Sequence, residues 1–391
     1  MDTNLDQMRS RRRVLQLLGA SGTVVVAGCA GTDDGDTGES PTPTAENDDN
    51  AGTDEPTANE AYSVFMEPTG EVMFESVPET WVTYQTMYTD MGVALGQADG
   101  LQALLRTFFL EVLNEEYYAA LPDVSVDVNG VVSLLGGGSW DEEVFYELDA
   151  DVHLMDSQQM SRSVDVDELS ENVSPFVGNY LRTTGGDFYR SYYTLYEAFE
   201  KIAEVFQERE RYERLKMIHD DLMEVVQSRL PPEEDRPRMG LMPIGADTGS
   251  GDMVGFLVDD GVGKKHYRDL GVKDAFAGMD PIFVSGNQVI NFDYEALLEV
   301  DPDAIVVQFG VYNSPSDFEE GFVEPMREHP VGQELSAVQN DRVYRGGSGY
   351  QGPIMNLFNT EWTAQQLYPD EFGDEELFDR DEVAAVVTNS F

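Results

Sequence analysis

Cysteine is almost absent from this sequence of 391 residues, in which Cys29 stands alone. A single cysteine excludes an intrachain disulfide. Histidine is also scarce, and the sequence has no Gly-x-Ser-x-Gly nucleophile turn. The four histidines lack the spacing of a metal site; they are His153, His219, His266 and His329. We therefore expect a protein that is not an enzyme and needs neither a metal nor a cofactor, with an extracellular hydrolase as the alternative.

Positive charge is the second scarcity. Lys and Arg number 24 against 75 Asp and Glu, which gives a formal net charge of -51. A chain with this charge repels nucleic acid, so we exclude a nucleic acid partner. The acids are spread along the whole chain, which favours a surface adapted to molar salt, where charge repulsion is screened. The alternative is a protein that binds cations or a polycation.

A long apolar run occurs only near the N-terminus. Arg11 and Arg12 precede it, as in twin-arginine export signals. Residues 14–28 are too short for a transmembrane helix, which needs roughly 20 apolar residues. They end at Cys29 in a small-residue motif that resembles the lipobox of lipoproteins. We expect export and a lipid anchor on Cys29 at the outer face of the cell membrane, as in a haloarchaeal secreted lipoprotein; the alternative is a buried helix.

Residues 30–59 contain no aromatic or large aliphatic side chain, which predicts a disordered acidic tether. The chain beyond it alternates short β-rich runs with helical patterns, which predicts parallel α/β sheets. We divide it into an N-terminal lobe over residues 60–187, a helical connector over 188–230 and a C-terminal lobe over 231–372. The acidic tail, residues 373–391, is either a short helix or frayed.

Helical periodicity predicts two particular stretches. Residues 100–115 fit a helix within the first lobe. Residues 192–225 repeat large apolar side chains three or four positions apart, with a phase slip near Arg209. Pro231 and Pro232 end this stretch, because proline lacks the amide that a helix interior needs.

One local pattern occurs twice. Residues 143–152 and residues 295–304 each begin with Glu, continue as an amphipathic helical turn and reach Asp-x-Asp before an apolar strand. This predicts an internal repeat of a helix-loop-strand unit, with one copy in each lobe.

A family resemblance rests on the second copy and on the chain that follows it. Asp301-Pro302-Asp303 and the apolar residues after it resemble a strand entry in substrate-binding proteins of iron-siderophore and cobalamin ABC importers. Further similar stretches are His329-Pro330 and residues 335–338, 342–344 and 367–372. The resemblance implies two parallel-sheet α/β lobes joined by a single long helix, with the ligand in the cleft and only modest closure.

The same resemblance implies partners and residue roles. Glu143 and Glu295 match the surface glutamates that pair with arginines of the permease in that family, although both could be ordinary solvated carboxylates. The partners would be an ABC permease and its ATPase, and we expect a monomer. The implied ligand is an iron-siderophore complex, with cobalamin or haem as alternatives.

Candidate ligand residues follow from the rule that ligands lie beyond the carboxyl ends of the strands in open α/β sheets. Aromatic faces grip large chelates and a cation attracts anionic ones. The candidates are Tyr88, Trp140, Arg182, Tyr312 and Tyr350. Each aromatic side chain could instead belong to a lobe core, and Arg182 could instead form a surface ion pair.

Overall fold

The computed structural model describes residues 61–136, 139–184, 192–284 and 286–390. The twin-arginine pattern, Cys29 and the tether therefore lie outside the described residues. Within those ranges, no helix combines the length and the apolar character that crossing a bilayer requires. The described chain builds two α/β lobes, each around its own sheet, in agreement with the predicted fold class.

The N-terminal sheet is wholly parallel. Its strands lie in the order Val132–Ser133, Leu101–Leu104, Trp81–Thr83 and Val152–Leu154. The helix expected over residues 100–115 is wrong in its first half, because Leu101–Leu104 is a strand and the helix begins at Phe108. A short apolar run does not distinguish strand from helix by its period. Here, pairing with a strand on each side decides the outcome.

The C-terminal sheet is mixed rather than parallel throughout. Arg238–Pro243, Ala304–Gln308 and Val343–Arg345 are parallel to one another, and Lys273–Asp274 joins them in parallel. Three further strands extend the sheet in antiparallel pairs on one side; they are Met253–Phe256, Asn287–Phe292 and Ile282–Val284. The prediction of a parallel sheet is therefore correct for the half of the C-terminal sheet that contains Ala304–Gln308.

The remaining elements surround these sheets. Two hairpins pair Tyr62–Met66 with Gly70–Phe74 and Leu135–Gly136 with Ser139–Trp140. Helix Pro353–Leu367 belongs to one continuous apolar core that includes side chains of both lobes. The other lobe helices are Thr86–Ala94, Phe108–Val112, Glu143–Leu148, Ser157–Met160, Val166–Asn172, Lys265–Asp269, Tyr294–Val300, Pro315–Phe318, Glu324–Glu328, Ser336–Gln339 and Pro369–Phe372.

The helical connector consists of two helices. Leu195–Phe206 begins at a capping box and ends where Gln207 adopts a left-handed φ of 56°. Arg209–Arg229 then forms a second helix of about 31 Å, so the phase slip near Arg209 marks a real break. The helical connector predicted over residues 188–230 therefore contains two helices, with the break at Gln207.

The second of these helices contacts both lobes along its length, and we call Arg209–Arg229 the bridging helix. Near its start, Arg211 donates a hydrogen bond to the carbonyl of Leu95 in the N-terminal lobe. Near its end, the Gln227 amide donates to the carbonyl of Asp269 in the C-terminal lobe at 2.6 Å. One long helix thus spans both lobes, as the family resemblance implied.

The repeated Asp-x-Asp unit has the same structure in both lobes. Asp149 and Asp301 end their helices with left-handed φ angles of 46° and 41°. The second aspartate of each unit then accepts a hydrogen bond from the amide that leads into the neighbouring strand. Asp151 accepts from Thr80 and Asp303 accepts from Arg238, each at 2.8 Å. The repeat is therefore a structural device that ties helix, loop and sheet together.

The acidic tail contains a packed helix, Arg380–Thr388. Its buried face, which includes Val383 and Val386, packs against the bridging helix. Arg380 lies over the ring of Phe378 and donates a hydrogen bond to the buried Glu361. Of the two predicted alternatives for the acidic tail, a short helix or a frayed end, the structure has the helix.

Candidate functional site

The carboxyl ends of the parallel strands of both sheets meet between the lobes. In the N-terminal lobe, Tyr84 directly follows Trp81–Thr83. In the C-terminal lobe, Tyr312 and Tyr350 follow Ala304–Gln308 and Val343–Arg345. The Thr86 hydroxyl donates a hydrogen bond to the carbonyl of Tyr350 at 2.9 Å, which brings the two edges into contact. The cleft therefore lies where ligands bind in open α/β sheets.

Aromatic rings from both lobes pack at this junction. The Tyr312 ring centroid lies 5.6 Å from that of Phe309, and it lies 5.9 and 5.5 Å from those of Phe108 and Phe109 in the opposite lobe. The Phe309 ring is 5.6 Å from the Tyr350 ring. Such a cluster offers flat faces that can hold a large planar or chelating ligand.

Arg182 lies inside the same junction and is only 2% exposed. Its guanidinium carbon is 4.8 Å from the centre of the Tyr350 ring, which is cation–π geometry. Its Nη1 donates to Asn287 Oδ1 at 3.0 Å, whereas its Nε is buried without a hydrogen-bond partner among the described residues. The interpretation of Arg182 as a surface ion pair is therefore wrong, because it is buried and bonded to an amide.

Tyr84 and Trp140 form a second aromatic pair, which belongs to the N-terminal lobe, with ring centroids 5.8 Å apart. The Gln159 amide donates to the Tyr84 hydroxyl at 2.8 Å. Burial raises the pKa of Tyr84 well above its ordinary value, and burial also raises the pKa of Tyr312. Both tyrosines are therefore neutral phenols at neutral pH, and the positive charge that acts on both comes from Arg182.

A short segment beside Arg182 connects the lobes through main-chain hydrogen bonds. The amides of Val262 and Gly263 donate to the carbonyls of Leu181 and Arg182 at 2.7 and 2.9 Å. The Thr183 hydroxyl donates to Asp259, which is paired with the buried Lys264. We call residues 180–183 the strap, because they belong to the first lobe in sequence and bind the second.

Tyr88, by contrast, does not join the cluster. It lies in helix Thr86–Ala94, and its hydroxyl donates to the Asn179 carbonyl at 2.7 Å and accepts from the Asn179 amide at 2.6 Å. The side chain is thus enclosed in the first lobe, where it anchors the residue that precedes the strap. Trp140, Arg182, Tyr312 and Tyr350 are the predicted residues that line the junction.

Several junction residues are not among those predicted from the sequence. Tyr84, Phe108 and Phe109 each follow a strand end, which is the signal that could have found them. The helix expected over residues 100–115 hid the end of strand Leu101–Leu104, and with it the two phenylalanines.

Glu143 and Glu295 occupy matching places, in the first turns of Glu143–Leu148 and Tyr294–Val300. Both side chains are exposed, and neither forms an ion pair with another described residue. Each helix ends at the amino end of a parallel strand, so its first turn lies toward the strands' carboxyl edge. The two carboxylates are therefore available on the cleft side of each lobe.

Comparison with known proteins bears on this arrangement. The sequence profile of the family described as periplasmic binding protein matches residues 113–350, well over half of the chain. No curated protein matches at a significant level.

Solved structures share the fold at low identity. The iron uptake ABC transporter substrate-binding protein PiuA of Streptococcus pneumoniae is 16% identical, with a TM-score of 0.55 over 78% of this chain and 98% of its own. SirA of Staphylococcus aureus, complexed with staphyloferrin B, is 13% identical with a TM-score of 0.52 over 78% and 98%. An ABC-type Fe3+-hydroxamate transport protein of Saccharomonospora viridis is 17% identical with a TM-score of 0.52 over 78% and 99%. Together with the profile match, they confirm the predicted resemblance, and the chain belongs to the periplasmic binding protein family.

Proposed function

We propose that this protein is the extracellular substrate-binding component of an ABC importer, which captures an iron chelate and delivers it to the permease. The family supports this role, and the similar structures include proteins whose names specify iron uptake or a bound siderophore. The observation that carries the proposal is the buried Arg182 over Tyr350, at the junction of the two sheet edges. A cation among aromatic faces suits a large chelate better than a small polar solute.

Tryptophan fluorescence in molar salt tests the cargo. Ferric hydroxamates, ferric catecholates, haem and cobalamin are titrated into the protein, and we expect an iron chelate to quench at micromolar concentration or below. Trp140 faces Tyr84 in the junction, so Trp140→Phe should remove much of the quenching while ultrafiltration still detects binding. Quenching by cobalamin or haem alone would identify that compound, and not an iron chelate, as the ligand. No binding of any of the four would refute the proposal.

Docking to the permease is proposed for Glu143 and Glu295, since both are exposed on the cleft side at equivalent places. Charge reversal of both to Arg should abolish uptake and permease-stimulated ATP hydrolysis without changing chelate affinity. Glu147→Arg and Glu299→Arg are matched controls, because they alter exposed carboxylates on the same two helices. Equal loss of uptake in the control pair would mean that general charge repulsion is responsible.

Export and anchoring complete the proposal. Arg11 and Arg12 would direct export through the twin-arginine route, and a lipid on Cys29 would hold the protein near its permease on the outer face of the membrane. The tether of residues 30–59 would provide the reach, and a monomer would suffice for delivery. In the native host, Cys29→Ser should release the protein into the medium; a variant that stays in the membrane fraction would contradict the anchor.

A further inference from the structure

Arg106 is a second cation on the cleft-side edge of the N-terminal sheet. It lies just beyond strand Leu101–Leu104, which is the parallel neighbour of Trp81–Thr83, the strand that Tyr84 follows. The residue is half-buried, and no described residue accepts a hydrogen bond from its buried Nε atom. Among the described residues its side chain also forms no ion pair, although carboxylates outnumber cations threefold in this chain.

The position of Arg106 connects it to the aromatic junction. The amide of Thr107 donates to the Ser133 hydroxyl at 3.2 Å, which fixes the turn after the strand. The next two residues, Phe108 and Phe109, reach across the cleft to the Tyr312 ring. Arg106 therefore lies two residues before the first ring that contacts the other lobe, on the sheet edge that also carries Tyr84.

The carboxylates bonded around the junction are already engaged. Glu116 accepts a hydrogen bond from Arg345 at 2.9 Å, in a two-pronged ion pair that crosses between the lobes. Asp259 is paired with Lys264 and also accepts from Thr183. Asp156 accepts hydrogen bonds from the main-chain amides of Gln159 and Tyr180 at 2.6 and 2.7 Å, and burial raises its pKa. Arg106 and Arg182, by contrast, form no ion pair with any described residue, in a protein of net charge -51.

Building on the proposed function, we propose that Arg106 is a ligand-contacting residue that acts with Arg182 to select net-anionic ferric chelates over uncharged ones. The preferred class is a tris-catecholate or polycarboxylate complex of ferric iron, and the disfavoured class is a neutral tris-hydroxamate. Desolvated guanidinium groups bind carboxylate and phenolate oxygens through charge-assisted hydrogen bonds. A partly buried contact is also screened less than an exposed one in molar salt, where the Debye length falls to about 3 Å.

The test compares two ferric complexes of similar size on the full-length protein in molar salt: a synthetic hexadentate tris-catecholate and a hexadentate tris-hydroxamate. The unmodified protein should bind the catecholate at least about tenfold more tightly. Arg106→Gln should weaken catecholate binding by about tenfold and leave hydroxamate binding unchanged, and Arg106→Lys should recover part of the loss. Arg209→Gln is the control, because Arg209 is an exposed cation paired with Glu213 on the bridging helix.

The outcomes separate this inference from the function beneath it. Equal affinity for the two complexes, or equal weakening of both by Arg106→Gln, would overturn the role of Arg106 while leaving an iron-chelate receptor in place. Absence of binding of either complex to the unmodified protein would contradict the proposed iron-chelate receptor function itself. Circular dichroism of each variant identifies misfolding, and Arg106→Met provides a second substitution that keeps the apolar stem and removes the charge.

Discussion

Asp90 provides a sharp prediction because it is a fully buried carboxyl group between the lobes. It lies in helix Thr86–Ala94 and is 0% exposed. One carboxylate oxygen accepts from the Tyr118 hydroxyl at 2.8 Å, and the other accepts from the Met355 amide, in the first turn of Pro353–Leu367, at 3.1 Å. Burial raises the pKa of Asp90 to about 7, because the loss of solvation outweighs these hydrogen bonds.

The sign of the pH dependence follows from linkage between protonation and folding. The folded pKa of about 7 lies above the ordinary value of 3.8, so the folded protein keeps a proton that the unfolded chain has released. This contribution to stability is complete below pH 3.8 and is lost as pH rises to about 7. The difference corresponds to about 4 kcal/mol in total, of which roughly 3 kcal/mol is lost between pH 5 and pH 8.

Urea unfolding in molar salt, followed by circular dichroism at pH 5 and pH 8, measures this effect. Asp90→Asn removes the titrating group. The unfolding free energy of the variant minus that of the unmodified protein should therefore be roughly 3 kcal/mol larger at pH 8 than at pH 5. Taking the difference cancels the titration of the other acids. Asp127→Asn is the control, because hydrogen bonds from Asn129 lower the pKa of this exposed group, so that it does not titrate above pH 5. A difference between Asp90→Asn and the unmodified protein that is independent of pH would refute the reasoning.

Three further outcomes follow from packing and charge. Gly261→Ala would place a Cβ 2.4 Å from the Arg182 carbonyl oxygen in the strap, so thermal unfolding should show a loss of about 1–3 kcal/mol. Arg380→Met would leave the buried Glu361 without its cation and should cost about 3–5 kcal/mol in urea unfolding. Arg229→Met breaks the more accessible ion pair with Glu375 and should cost less than about 1 kcal/mol. Dialysis into millimolar salt should unfold the protein, as monitored by circular dichroism; a folded protein there would contradict salt adaptation.

The sequence predicted the repeated Asp-x-Asp unit well, because its function is local. A left-handed helix end and an amide-accepting aspartate depend on a few adjacent residues, and Asp149 and Asp301 both adopt that geometry. The bridging helix was recognisable for a similar reason, since its period and its terminal prolines lie in one stretch. Its break at Gln207 left only a phase slip as a signal.

The cleft was predicted less completely, since its residues come together through tertiary contacts. Arg182 and Tyr350 are 4.8 Å apart in space but far apart in the chain. Arg106 was hidden by an apolar run that fits strand and helix equally well. Tyr88 satisfied the strand-end rule, yet its side chain is held by Asn179, because the rule selects loops and helix starts without specifying side-chain direction.

The contacts between the lobes limit how a ligand can enter. Rotating the lobes as rigid bodies would break the strap's main-chain hydrogen bonds, the bond from the Met355 amide to Asp90 and the ion pair between Glu116 and Arg345. Separating the rings of Phe108 and Tyr312 breaks only side-chain packing, and Phe108 is already 38% exposed. Since dispersion contacts are individually weak and buried polar groups are costly to leave unpaired, opening at this aromatic edge requires less free energy. We therefore expect a ligand to enter past Phe108 and to reach Arg182 with the two lobes still joined at the strap.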